Sequence, residues 1–159
     1  MTSVRNDFFA IFGIPETLDL DVAALQKRFY ELSREHHPDR KKPSERAEAE
    51  QRTSELNDAW RTLRDPIKRA HYVLERHHLN LQPTPDILEE MFELNMEREE
   101  AETRDQLEAI HRRLLAMLQQ TDQALAQSFT QDLSAVRAIL SKRQYIQNLI
   151  ASTENALSN

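Results

Sequence analysis

A single glycine, Gly13, stands in a chain of 159 residues. Phosphate cradles, dinucleotide fingerprints and the tight turns of all-β sandwiches need glycine, either for a positive φ or to let backbone approach a ligand closely. One glycine supplies none of these, so the expected fold class is all-α. The chain also has no cysteine, which removes disulfides, thiolate metal ligands and a cysteine nucleophile. A hydrophobic fraction of 39% is enough for packed helices. A mean hydropathy of -0.72 and the lack of any long apolar run argue against a membrane span. Met1 to Asp7 carry no basic leader followed by an apolar stretch, and the expected compartment is the cytoplasm.

The net charge of -6 speaks against a nucleic-acid binder as a whole, yet it is unevenly spread. Residues 1 to 80 hold fourteen Lys and Arg against fourteen Asp and Glu; residues 81 to 159 hold seven against thirteen. Between the halves lies Leu81-Gln82-Pro83-Thr84-Pro85, where two prolines remove backbone donors and disfavour helix. The reading is therefore two domains, 1–80 and 86–159.

Punctuation divides the first half into four helices. Phe8, Phe9, Ile11 and Phe12 form a short apolar segment stopped by Gly13, followed by Ile14-Pro15. Asp21 is placed to cap a second helix with a stripe of Val22, Leu25, Phe29 and Leu32, which ends near His37 because Pro38 follows. Ser44 is the expected cap of a third helix bearing Ala49, Thr53, Leu56, Trp60 and Leu63, and Asp65-Pro66 opens a fourth through Ala70, Val73 and Leu74. The two longer helices make an antiparallel pair that the short ones cover. Their polar connector is where function is expected.

That connector contains His37-Pro38-Asp39, preceded by His36 and followed by Arg40-Lys41-Lys42. On these residues the half-chain resembles the J-domain family, whose signature is His-Pro-Asp between its second and third helices. Phe8-x-x-x-Phe12-Gly13-Ile14-Pro15, the run from Phe29 to Leu32, and Asp65-Pro66-x-Lys68-Arg69-Ala70-x-Tyr72 extend the resemblance. It implies docking onto an ATP-hydrolysing heat-shock chaperone of the DnaK/HscA class, whose hydrolysis is stimulated on contact. The plain alternative for the tripeptide is a solvated turn in which proline fixes the backbone and aspartate bonds its own loop.

Residues 27 to 42 carry six cations, among them Lys27, Arg28, Arg34 and Arg40, against Glu31, Glu35 and Asp39. A local charge of +3 suits an acidic chaperone surface, with an ordinary solvated helix face as the alternative. J-domains of general chaperones carry further cations where this sequence has Tyr30 and Glu31, and that departure implies a dedicated partner.

In the second half, the segment from Asp86 to Glu97 is apolar at Leu88, Met91, Phe92 and Leu94 and acidic between them. A second helix is expected from Thr103, with Gln106 completing a capping box, through Leu107, Ile110, Leu114, Met117, Leu118 and Leu125. A third is expected from about Asp132 to Ala156. Three such helices close into an antiparallel bundle.

A J-domain followed directly by a small acidic helical bundle, with no Gly/Phe-rich stretch and no cysteine-rich module, resembles the HscB family, co-chaperones of iron-sulfur cluster assembly. The resemblance implies that the bundle binds the iron-sulfur cluster scaffold protein. By position it assigns the contact to Leu88, Phe92, Glu93, Met96, Glu97 and Tyr145. The alternative for Leu88, Phe92 and Met96 is core, since helical stripes are usually buried.

A J-protein for another client remains open, and only the bundle separates it from the first reading. A metal-binding protein or metal enzyme using His36, His37, His71, His77 and His78 is the least favoured. Adjacent histidines point in different directions on a helix, whereas ligation from one face needs a spacing of three or four. No enzyme activity, cofactor or metal of the chain's own is expected.

Overall fold

The structure, a computed structural model, describes residues 7–159. The first six residues, read above for a leader, lie outside the described residues. Among the described residues there are seven α-helices and two short 3-10 turns, and no strands. The chain divides into two compact units, the first ending at Val73 and the second running from Leu74 to Asn159.

In the first unit, α1 (Phe8–Phe12) is one of the shortest helices that can be closed at both ends. The Asp7 carboxylate accepts from the Phe9 and Ala10 amides, and Gly13 at φ 69° donates to Ala10 O in a left-handed cap. Phe9 and Phe12 are buried, while Phe8 stacks on Tyr72 at 4.6 Å and its amide donates to the Tyr72 hydroxyl at 2.9 Å. Helix α2 (Val22–Glu35) starts where Asp21 accepts from the Ala24 amide. It turns Leu25 and Leu32 inward and lays Phe29 against Trp60 of α3 (Arg46–Leu63), ring centroids 5.0 Å apart. From α3, Ala49, Leu56, Ala59 and Leu63 enter the same core.

The expected cap at Ser44 is not what the chain uses. Pro43 fixes its own φ and starts a 3-10 turn, Pro43–Glu45, that feeds directly into α3. Ser44 therefore sits within a turn rather than in the extended geometry of a cap, and Glu45 at the boundary makes no side-chain capping bond. Helix α4 (Pro66–Arg76) opens as read, with Asp65 accepting from the Ile67 and Lys68 amides at 2.9 and 3.2 Å.

Arg69 of α4 is buried, which its charge did not announce. Its guanidinium donates to Leu18 O at 2.9 Å and Leu63 O at 2.6 Å, joining the connector before α2 to the end of α3. Burial pushes the Arg69 pKa below its ordinary value, against the opposing pull of Asp19 and Asp65.

The second unit is built from α5 (Pro85–Glu100), α6 (Arg104–Ser128) and α7 (Leu133–Ser158). Residues 101–103 and 129–132 are too short for anything but antiparallel neighbours. The Thr103/Gln106 capping box is formed, and Asp132 caps α7 through the Ala135 amide. Met91, Leu94, Ile110, Leu114, Ile146 and Leu149 make the core. Thr121, Ser128 and Thr153 are also buried. Each donates its hydroxyl to a carbonyl one turn back, Met117, Leu125 and Leu149 respectively, so no separate polar partner is required. No helix among the described residues is long and apolar enough to cross a membrane.

Candidate functional site

Pro38 ends α2. The His36 amide closes the helix onto Leu32 O at 3.0 Å, and His37 leaves helical geometry at ψ 127°. Pro38–Arg40 then form a 3-10 turn, closed by the Arg40 amide on His37 O and the Lys41 amide on Pro38 O, each 3.1 Å. From α3, the Thr53 hydroxyl reaches His36 O at 3.4 Å and ties the corner to the helical pair.

Within this turn His37 Nδ1 accepts from the Asp39 amide at 3.2 Å and stands 3.7 Å from Asp39 Oδ2. With Nδ1 engaged as an acceptor, a neutral ring carries its proton on Nε2. The corner therefore presents an imidazole N–H donor and, on Asp39, a carboxylate whose side chain is 90% exposed. Those are complementary polar handles held at fixed separation by one proline. Arg34 and Arg40 line a groove with His37 and Asp39, while Lys27 and Arg28 are exposed further back on α2, Arg28 lying 3.6 Å from Glu31.

The second cluster lies on α5. Ile87, Met91 and Leu94 turn toward the bundle core, which leaves Leu88, Phe92 and Met96, spaced by four, as a second apolar stripe on the outside. Phe92 is 65% exposed, so the core alternative for it is excluded. Glu93 and Glu97 flank the stripe and are also exposed. Glu97 accepts from Arg113 of α6 at 2.8 Å, whereas Glu90 pairs with Lys142 of α7 at 3.0 Å. A groove of about 630 Å³ runs between α5 and α6, lined by Phe92, Glu93, Met96, Glu97, Glu100 and Arg113 among others. Tyr145 is exposed on α7, which packs against α5. Among the described residues no three His, Asp or Glu side chains converge as a metal site would require.

Two family models match the chain: a DnaJ domain over residues 7–72 and an HSCB C-terminal oligomerisation domain over residues 83–154. The solved structure of chaperone HscB from Vibrio cholerae is similar along 96% of this chain and 98% of its own, with 28% identity and a TM-score of 0.62. The crystal structure of human co-chaperone protein HscB is 26% identical over 94% of this chain and 81% of its own, with a TM-score of 0.66.

The chain belongs to the HscB family of J-domain co-chaperones. Members of this family are co-chaperones of iron-sulfur cluster assembly. In this HscB-family chain every residue read from the sequence as a contact is solvent-accessible; Pro38 is the one of them that is half-buried. Arg34 and Arg40 share a groove with His37 and Asp39; Phe92, Glu93, Met96 and Glu97 share another; Lys27, Arg28, Leu88 and Tyr145 line neither.

Tyr30 was read only as a departure from the family pattern and not as a site residue. It is 54% exposed and lines a groove with Ser33, Arg34, His37, Asp39 and Arg40. The signal for it was present in the sequence, because consecutive helical residues cannot share a face. Once Phe29 belongs to the Leu25/Phe29/Leu32 stripe, Tyr30 must point elsewhere. Arg113 was missed for a different reason: nothing local links it to Glu97, sixteen residues earlier.

Proposed function

We propose that the chain stimulates the ATPase of a heat-shock chaperone of the DnaK/HscA class through His37, Pro38 and Asp39, and delivers the iron-sulfur cluster scaffold protein to it. Lys27, Arg28, Arg34 and Arg40 steer that chaperone, and Leu88, Phe92, Glu93, Met96, Glu97 and Tyr145 hold the scaffold. In this reading residues 1–80 act as the J-domain and 86–159 as the cargo-binding bundle, working in the cytoplasm. The observation that carries it is an outward-facing corner braced from within: His37 satisfies the Asp39 amide, Thr53 holds the His36 carbonyl, and the polar groups left over face solvent.

The α5 stripe supports the second half of the reading. Leu88, Phe92 and Met96 are apolar groups that the bundle core leaves outside, rimmed by carboxylates. Such a surface fits a partner that is basic and apolar together. A client other than the scaffold would use the same trigger, and no observation favours one.

Two measurements test this. His37→Gln is expected to keep helicity and melting temperature while abolishing stimulation in a single-turnover ATPase assay with an HscA-class chaperone; full stimulation would refute the trigger. Phe92→Ala is expected to weaken capture of the purified scaffold while lowering stability by under about 1 kcal/mol, well short of the roughly 3 to 5 kcal/mol of a buried aromatic. Unchanged capture would remove α5 from the scaffold contact.

A further inference from the structure

Tyr30 is a large ring turned to solvent about two helical turns before the His-Pro-Asp corner. The α2 core stripe has no place for it. Its ring lies tilted against Phe29 at 5.7 Å, and Phe29 is itself stacked on Trp60, so one side of the tyrosine rests on a fixed support. The Gln26 side chain donates to the Tyr30 hydroxyl at 3.3 Å from one turn back, which restrains the other end. The result is an exposed aromatic whose rotamer freedom is already reduced.

Its surroundings are equally specific. Tyr30, Ser33, Arg34, His37, Asp39 and Arg40 line one open groove of about 700 Å³. Neither Arg34 nor Arg40 forms an ion pair within 4 Å among the described residues, and against the single carboxylate of Asp39 they leave the groove's lining net positive. An aromatic wall with two such cations beside it fits a surface of opposite sign that also offers the ring an apolar seat. Aromatic residues with few torsions anchor interfaces at low entropic cost, whereas lone surface charges add mostly to encounter rate.

We propose that Tyr30 is the anchor of the chaperone-docking surface, seated in an apolar depression rimmed by acid on the ATP-hydrolysing chaperone, and that it sets affinity while His37 sets stimulation. The groove is continuous with the His-Pro-Asp corner, so the occupant of both is one partner. This inference rests on the proposed role of that corner, and it divides labour within one surface: a ring that binds and an imidazole that triggers.

The test is the ATPase of an HscA-class chaperone measured against rising concentrations of native chain, Tyr30→Ala, Tyr30→Phe and His37→Gln. Tyr30→Ala should raise the concentration for half-maximal stimulation about tenfold while reaching the native maximum. Tyr30→Phe should stay close to native, since the ring rather than the hydroxyl is the anchor. His37→Gln should lose the maximum itself. Circular dichroism should show equal melting for all four chains, because neither side chain is in the core. A native curve for Tyr30→Ala alongside a dead His37→Gln would remove Tyr30 from the interface and leave the trigger standing. A lowered maximum in Tyr30→Ala would show it acts through the corner and overturn the anchor. Full stimulation by His37→Gln would overturn the reading beneath both.

Discussion

Glu93 and Glu97 look interchangeable as letters, both acids on the exposed side of α5, but only Glu97 already holds a cation, Arg113 at 2.8 Å. A basic partner must displace that guanidinium to use Glu97, whereas Glu93 has no such competitor in its ion pairs among the described residues. Glu93→Gln is therefore expected to weaken scaffold capture severalfold more than Glu97→Gln, measured by titration calorimetry; the reverse order would mean that the partner's basic patch takes Glu97 from Arg113. At this scale the sequence was readable where a side chain acts on its immediate neighbours. Asp21, Asp65, Thr103 and Asp132 cap helices within three residues, and Gly13 stops α1 with its own φ. It was opaque where the partner is distant, as for Arg69 on Leu18 O or Arg113 on Glu97.

Helix α5 shows how one element serves two masters. Every fourth residue from Leu88 to Met96 is apolar and outside, and Ile87, Met91 and Leu94 are apolar and inside, so the helix is amphipathic with two greasy sides. Sequence reading saw the excess of apolar positions and could not decide which belonged to the core, because that depends on where α6 and α7 lie. At the start of α5, the Thr84 side chain first, then backbone amides and Lys142, hold the Asp86 carboxyl below the usual carboxylate value. A carboxyl lowered in the folded state stabilises above its unfolded value and loses that contribution as pH falls through the folded one. Asp86→Asn is accordingly expected to be less stable than native above about pH 5 and to converge with it in stronger acid, followed by urea midpoints against pH; a gap independent of pH would assign the effect to something other than ionisation. The third helix taught the opposite lesson, since Ser44 had the right chemistry for a cap and the turn set by Pro43 put it in the wrong backbone geometry.

Across the whole molecule the charges are segregated, with +3 over residues 27–42 and -8 over residues 86–108. If the first faces an acidic chaperone and the second a basic scaffold, both contacts are screened by salt, over about 8 Å at physiological strength. Raising salt from roughly 0.05 to 0.5 M should weaken ATPase stimulation and scaffold capture together while helicity holds. Salt-insensitive capture would mean that Leu88, Phe92 and Met96 carry the contact alone. This segregation was legible from composition, and so was the all-α class, since both are sums over residues and need no coordinates. The corner at residues 37–39 has one more implication. Because its backbone is braced by hydrogen bonds before any partner arrives, little ordering remains to be done at the moment of contact. If the corner docks as proposed, its partner meets a surface already in the bound shape, and the freedom usually given up on association is largely given up in advance.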